Sequence, residues 1–294
     1  MKIEKITIED INYPPLLKEI KNAPKELFYQ GCLPTKDELA IAFVGTRKAS
    51  EEGCILARQI SFELAKRGFV IVSGLAFGID AASHRGALDV PQKTVAVLGS
   101  GLNVIYPPSH RALAALILEK GGCLISEYEK DEPPLPYRFL ERNRIISGLC
   151  VATVIIEAPK RSGALSTARF AYEEGREVFV FPGNVKNKNY EGSHMLIRNG
   201  ARLVTESEDI LEDLAPILKN YGFTLPYINK EQEIFDEKEI LILEALKGNN
   251  YLTIDKLAEI TKLEIQEINE KLTFLFITGK VEEKNGAYKL KNNL

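Results

Sequence analysis

The chain has 294 residues, of which 45% are apolar and 27% are charged, and its formal net charge is −3. The length exceeds that of one minimal domain, and the composition excludes a disordered, collagen-like or disulfide-scaffold protein. Apolar runs such as 151–156 are far shorter than the roughly 20 residues that span a bilayer. The opening residues, MKIEKITIEDI, lack the apolar stretch of a secretory signal. We therefore expect a soluble, cytoplasmic protein that makes no membrane contact.

The cysteines show no pattern typical of metal binding or disulfide formation. Cys32, Cys54, Cys123 and Cys150 form no CxxC pair, and most of them lie in apolar segments. We expect plain buried thiols. The sequence indicates no metal site and no cofactor.

The first 39 residues contain Pro14, Pro15 and Pro24, which break regular structure. We predict a lead-in segment over 1–39, with a short helix and a crossing segment.

From residue 40 the chain alternates short apolar, β-branched runs with amphipathic stretches. Runs that are apolar on both faces are typical of strands in a covered parallel sheet. This alternation predicts an α/β domain over 40–220, with an extended Rossmann-like, doubly wound and mostly parallel sheet. The predicted strands are 40–45, 69–74, 94–99, 123–127, 152–158, 177–183 and 201–206.

The remainder predicts a linker over 221–236 and a small domain over 237–294. Helices are expected at 237–247, from Thr253, and at 264–277, followed by a hairpin around Asn285 and Gly286. Three helices and a hairpin are the order of a winged-helix domain. Its third helix is acidic, which favours a protein-contact or regulatory role over duplex reading.

Two loops with small residues follow the first two predicted strands. Gly45, Thr46 and Arg47 follow the first strand, and Ser73 and Gly74 end the second. Such loops present backbone N–H groups and a helix dipole to phosphate. Neither the GxGxxG fingerprint nor the GxxxxGK[ST] loop occurs, so bound NAD or ATP is not indicated.

The most informative block is the stretch 133–149. Arg138, Phe139, Arg142, Asn143 and Arg144 place three guanidinium groups near one aromatic ring. Cations for phosphates and a flat ring for a base are what single-stranded nucleic acid requires.

A further phosphate-facing turn follows the strand predicted at 152–158. It consists of Lys160, Arg161, Ser162 and Gly163 and precedes a helix. His84 has no nucleophile at triad spacing, and His110 is expected at the surface, so a hydrolytic triad is not supported. No catalytic residue is assigned.

Taken together, these motifs resemble the DNA-processing protein A family, also called Smf. The segments VGTRKAS, SGLAFGIDAASHRGAL, FLERNRIISGL and EAPKRSGALSTARF occur in that family's order, and the likeness covers about 11–212. The family's lysine three residues before the phenylalanine is replaced here by Pro136.

The resemblance implies a homodimeric protein that binds single-stranded DNA, is not an enzyme, and helps to load the recombinase RecA during natural transformation. It also implies DNA contacts at Arg47 and in the 139–144 block, and at Ser162 and Gly163. Dimer contacts are implied near His194, Ile197 and Leu203.

We therefore hypothesise that a single strand lies along the carboxyl edge of the sheet and is bound with little sequence preference. Two alternatives remain open. One is a nucleotide or sugar-phosphate hydrolase of the lysine-decarboxylase-like group, although its PGGxGT turn reads RSGALST here. The other is a ligand-sensing regulator that uses the winged-helix domain on duplex DNA.

Overall fold

The computed structural model describes residues 2–220, 237–248, 251–277, 281–284 and 286–290. They belong to two compact units, residues 1–224 and 225–294. The predicted linker 221–236 lies outside the described residues. Within those ranges, no helix combines the length and apolarity that crossing a bilayer requires.

The first unit is built on one nine-stranded sheet with the order β1-β2-β6-β5-β4-β3-β7-β8-β9. From β6 to β9 all neighbours are parallel, whereas β1 and β2 are antiparallel additions. The strands are β1 Glu4–Thr7, β2 Glu26–Gly31, β3 Ala40–Val44, β4 Val70–Ser73, β5 Thr94–Leu98, β6 Cys123–Ser126, β7 Ala152–Ile155, β8 Glu177–Val180 and β9 Arg202–Leu203.

Helices cover both faces of the sheet, as the doubly wound prediction requires. Alternate strand residues point to opposite faces, so Val95 and Val97 join one apolar cluster and Ala96 and Leu98 join the other. The helices are α1 Pro15–Lys18, α2 Glu51–Lys66, α3 Ile79–Leu88, α4 Arg111–Glu119, α5 Pro136–Glu141, α6 Asn143–Gly148, α7 Gly163–Glu173, α8 Glu191–Arg198 and α9 Ser207–Asn220.

The two clusters assign helices to faces. The first cluster packs α1, α6 and α7 on one side of the sheet, and the second packs α3 and α4 on the other. Burying one Val, Leu or Ile side chain stabilises a fold by about 1.5–3 kcal/mol. These strands are buried at almost every position, which explains why their sequence reads as continuous apolar runs.

The segment 1–39 is part of this sheet and not only a lead-in. Strand β1 pairs with β2, and β2 pairs with β6. The predicted boundary at residue 40 missed these strands because β1 mixes exposed charged residues with apolar ones. A strand at the sheet edge has no need of the continuous apolar run that reveals a central strand.

The described residues of the second unit form three α-helices and a small antiparallel sheet with the order β10-β12-β11. Its helix α11 begins after Thr253, whose hydroxyl accepts a hydrogen bond from the backbone N–H of Lys256. Gly286 has φ of +75°, at the turn between the hairpin strands. The elements are α10 Glu237–Ala245, β10 Leu252–Thr253, α11 Ile254–Thr261, α12 Ile265–Ile277, β11 Val281–Lys284 and β12 Ala287–Leu290.

Candidate nucleic-acid interface

An open cleft of about 420 Å³ lies at the carboxyl ends of β3 and β7. These two strands are neighbours, but β4 to β6 extend from β3 in one direction and β8 and β9 extend from β7 in the other. Such a reversal of strand order is where open α/β sheets bind ligands. The lining residues include Gly45, Thr46, Arg47, Asp80, Pro136, Phe139, Leu140, Arg142, Asn143, Arg161, Ser162, Gly163 and Thr167.

The loop between β3 and α2 forms one wall, and its backbone is firmly held. The Thr46 N–H donates to the Glu157 carbonyl over 2.7 Å. Ser50 caps α2 by accepting a hydrogen bond from the Gly53 N–H over 2.9 Å. The loop therefore fixes the position from which the exposed Arg47 side chain projects.

Glu157 is a central residue of the site that the sequence reading did not assign. Its side chain is fully buried at the end of β7. One carboxylate oxygen accepts the Ser50 hydroxyl, and the other accepts the Ser50 N–H over 3.0 Å and the Asn189 amide over 2.9 Å. An acidic residue that ends an apolar strand was the available signal, because such a carboxylate must find donors when it is buried.

Phe139 forms the aromatic surface of the cleft. The Arg47 guanidinium lies 5.2 Å from the centre of its ring, and the Tyr106 ring lies 5.5 Å away on another side. A Cβ atom at Gly99 would come within 2.8 Å of the Phe139 ring, so this close approach requires glycine. The result is a half-buried ring beside a cation at the cleft wall.

Arg142 lies under this surface and not at the solvent boundary. Only 3% of the residue is exposed, and its guanidinium donates to the carbonyls of Gly74, over 2.9 Å, and of Val97. Burial lowers the pKa of Arg142 to about 10, against the opposing effect of Asp80. The arginine therefore stays charged at neutral pH and joins the ends of β4 and β5.

The predicted phosphate loop at Ser73 and Gly74 is occupied by protein groups. The Ser73 hydroxyl donates to the Phe43 carbonyl, and the Gly74 N–H donates to the Asp80 carboxylate over 3.1 Å. Burial raises the pKa of Asp80, whereas the nearby Arg142 charge opposes that rise. Ser73 and Gly74 thus stabilise the protein beneath the cleft and do not present free groups to a phosphate.

Asn143 connects the cleft floor to the turn before α7. Its amide donates to the Gly163 carbonyl over 3.2 Å. The Ser162 hydroxyl caps α7 by accepting from the Ala164 N–H, also over 3.2 Å. Gly163 is exposed at the start of this 11-residue helix, where the dipole favours an anion.

The structure separates the other two arginines of the predicted block from the cleft. Arg138 pairs with Glu132 at 2.8 Å and lies over the Tyr128 ring. Arg144 donates to both carboxylate oxygens of Glu127, at 2.6 and 2.8 Å. Their charges are therefore neutralised within the protein.

Three predicted cations do face solvent at the carboxyl edge. Arg47, Lys160 and Arg161 are exposed, and none forms an ion pair with a carboxylate of the described chain. Arg47 and Arg161 both line the cleft, and Lys160 precedes Arg161 in the turn before α7. The cleft thus combines two uncompensated guanidinium groups, an aromatic ring and a helix N-terminus.

The residues predicted at the dimer interface lie at the end of the sheet. His194 and Ile197 are half-buried on α8, and Leu203 is 52% exposed on the edge strand β9. One His194 ring nitrogen lies 3.1 Å from the Gly183 carbonyl. Met195 on α8 adds a further exposed apolar side chain, 43% accessible.

Two smaller expectations need correction. Cys32 is exposed and Cys54 half-buried, so only Cys123 and Cys150 are the buried thiols expected of all four. His110 is buried, not at the surface, because the 3₁₀ turn Pro108–His110 points its ring to the Leu75 carbonyl, 2.8 Å away.

The sheet and the cleft define a doubly wound α/β protein with a cationic, aromatic binding site at the switch in strand order. The chain belongs to the DNA recombination-mediator protein A family, whose model matches residues 4–215. The predicted family and α/β class are therefore confirmed.

Relatives and solved structures agree with this assignment. The chain is 41% identical over 282 residues to Protein Smf of Escherichia coli, with 94% of this chain and 74% of that protein covered. It resembles the X-ray structure of DNA processing protein A from Streptococcus pneumoniae, with 42% identity, a TM-score of 0.67, and 72% and 74% of the two chains covered. It also resembles DNA processing protein A from Helicobacter pylori, described for its single-stranded DNA binding mode, with 29% identity, a TM-score of 0.64, and 74% and 97% covered.

Proposed function

We propose that this protein binds single-stranded DNA in the cleft, with little sequence preference, and assists the loading of RecA during DNA uptake and natural transformation. The observation that carries the proposal is the placement of Arg47 and Arg161 around the Phe139 ring at the switch in strand order. The single-stranded DNA binding named for the Helicobacter pylori relative supports it.

In this proposal the phosphates contact Arg47, Arg161, Lys160 and the exposed start of α7 at Gly163. One base stacks against the Phe139 and Arg47 surface. Stacking and phosphate contacts do not depend on base identity, so the binding is sequence-tolerant and salt-sensitive. Arg142 and Asn143 act indirectly, because they hold the strand ends and the α7 turn that shape the cleft.

The decisive experiment is fluorescence anisotropy with a 20-nucleotide oligothymidine and a duplex of equal length over a range of salt concentrations. The wild type should prefer the single strand. Arg47→Ala combined with Arg161→Ala should flatten the plot of log K against log salt by about 1.4, or 0.7 for each lost phosphate contact. A matched control is Lys66→Ala with Lys120→Ala. These lysines lie at the carboxyl ends of α2 and α4, away from the cleft. An unchanged slope in the arginine variant would remove these two residues from the interface.

The same material tests the two alternatives. Turnover of a nucleoside monophosphate would favour the hydrolase. Deleting residues 230–294 distinguishes the regulator, because loss of all DNA binding would assign recognition to the second unit. We expect the shortened chain to bind the single strand unchanged, since every cleft residue lies within residues 1–224.

We further propose a homodimer through α8 and β9, and RecA as the protein partner. Exposed Met195 and Leu203 give this end of the sheet an apolar surface. Filament formation by RecA on DNA coated with single-strand-binding protein tests the partnership, and acceleration by the wild type is the expected result.

For the second unit we propose a winged-helix module that contacts protein. Helix α12 exposes Ile265, Gln266 and Glu270 to solvent, a surface with apolar and acidic character. Phosphates would be repelled by this helix, whereas a protein surface can pair with it.

A further inference from the structure

We infer that the single-strand path continues beyond the cleft, over the loop that follows β8, and that Lys48, Lys186 and Lys188 bind phosphates there. This inference rests on the proposed function and adds a second segment to its binding surface. Lys186 and Lys188 lie outside the motifs that define the cleft, and Lys48 follows Arg47 in the VGTRKAS segment.

The topology places the three lysines on one edge. Strands β3, β7 and β8 are parallel neighbours, so the loops that follow them emerge side by side. Lys48 follows β3, Lys160 and Arg161 follow β7, and Lys186 and Lys188 follow β8. Two strand spacings of about 4.8 Å place the loop that carries Lys186 and Lys188 about 10 Å from the loop that carries Arg47 and Lys48. This distance adds a second short segment of backbone to the path.

The loop after β8 is ordered by its own hydrogen bonds and is bonded to the cleft wall. The Asn189 amide donates to the Lys48 carbonyl over 3.2 Å and to the buried Glu157 carboxylate. Within the loop, Asn184 accepts from the Lys186 N–H, and Asn187 accepts from the Asn189 N–H. These hydrogen bonds hold the loop that carries Lys186 and Lys188 beside the Lys48 backbone in the cleft wall.

The charges of these lysines are available for a ligand. All three side chains are exposed, and none forms an ion pair with a carboxylate in the described part of the chain. Glu51, Glu52 and Glu191 begin the adjoining helices α2 and α8. These acids limit the path to the loops, because phosphates would be repelled from both helix starts.

The test uses the full chain carrying Lys48→Gln, Lys186→Gln and Lys188→Gln together. Because the lysines are exposed, the variant should keep the wild-type circular dichroism spectrum. Binding to 6- and 20-nucleotide oligothymidines is measured over a range of salt concentrations. For the long oligonucleotide the salt slope should fall by about 2, or 0.7 for each of three contacts. The 6-nucleotide probe, anchored at Phe139, should show a smaller fall, because it cannot fill the cleft and the whole second segment at once.

A charge-matched control carries Lys36→Gln, Lys66→Gln and Lys120→Gln. Lys36 precedes β3, and Lys66 and Lys120 lie at the carboxyl ends of α2 and α4, which places all three at the amino ends of the parallel strands. A wild-type slope on the long probe, or a fall that the control variant reproduces, overturns the inference. An equal fall on both probes overturns it too, because the lysines would then act only through the general field. If the wild type binds neither probe, the proposed function fails instead.

Discussion

At the scale of single residues, three arginines that look alike in the sequence have three different surroundings. Arg138 and Arg144 pair with Glu132 and Glu127, and Arg142 is buried under the cleft. A pattern of residue types could locate this block, but it could not show which carboxylates and carbonyls arrive from distant segments. Arg47, Arg161 and Phe139, which the sequence singled out, do line the cleft. For the two arginines, the ends of the apolar strands were the signal, and their role in binding stays a prediction.

Removing the Phe139 ring should weaken single-strand binding without unfolding the protein. Phe139→Ala should raise the Kd for a 20-nucleotide oligothymidine about five- to 150-fold, since one base–aromatic stack contributes about 1–3 kcal/mol. Phe139→Tyr should stay near the wild type. Tyr172→Ala, at an exposed tyrosine on α7, is the matched control in this anisotropy measurement. Equal affinities of Phe139→Ala and the control would refute stacking at this ring.

Substitutions of Arg142 and Arg47 should have different effects, the first on the free energy of unfolding and the second on the affinity for DNA. Arg142→Met leaves the carbonyls of Gly74 and Val97 without their donor, so we expect a loss of at least about 2 kcal/mol in the free energy of unfolding. Arg47→Ala, at an exposed side chain, should change that free energy by less than about 0.5 kcal/mol while weakening DNA binding. Urea denaturation of both variants measures the difference, and similar unfolding curves would contradict the assigned roles.

At the scale of elements, the strands β3 to β8 were predictable because central parallel strands are apolar on both sides. Strand β1 was not, since an edge strand can mix charged and apolar residues. Strand β2 was not either, because only three of its six residues are apolar and most of its positions are partly exposed. Nothing in the sequence indicated the hydrogen bond that joins His84 on α3 to Thr94 on β5. The Thr94 hydroxyl donates to the Ile71 carbonyl and therefore accepts from His84 Nδ1–H over 2.8 Å.

The burial of His84 should make stability depend on pH. Burial, assisted by the charges of His110 and Arg142, lowers the pKa of His84 from 6.5 to about 3. Between those values the unfolded chain binds a proton that the folded chain does not, so stability falls as the pH falls below 6.5. One such group contributes a slope of up to about 1.4 kcal/mol per pH unit. His84→Gln should show a shallower dependence than the wild type in urea unfolding between pH 4 and 6, and identical slopes would contradict this assignment.

At the scale of the whole molecule, the sheet has two unlike ends. One end is β1, with exposed charged residues, and the other is the two-residue strand β9 beside α8. Short or charged edge strands discourage open-ended association, so the apolar patch formed by Met195 and Leu203 at the β9 end favours a closed pair.

A charge at that patch should therefore separate the proposed dimer. Leu203→Arg places a cation on a side chain that is 52% exposed, so the fold should persist while association weakens. Size-exclusion chromatography with light scattering should report a dimer for the wild type and a monomer for the variant. Ile11→Arg, at a 97% exposed position near β1, should remain dimeric. A wild-type mass for Leu203→Arg would exclude this edge as the interface.

The pairing of β2 with β6 has a consequence for the order in which the chain is made. Phe28 lies opposite Ser126, so the amino-terminal strands cannot join the main sheet until residue 126 has left the ribosome. Contacts between segments so far apart in sequence form slowly, because a long loop must first be closed. In the nascent chain, β2 exposes an unpaired strand edge until β6 has been synthesised. Translation pauses before residue 126 should thus lengthen the time during which nascent chains can aggregate or recruit a chaperone.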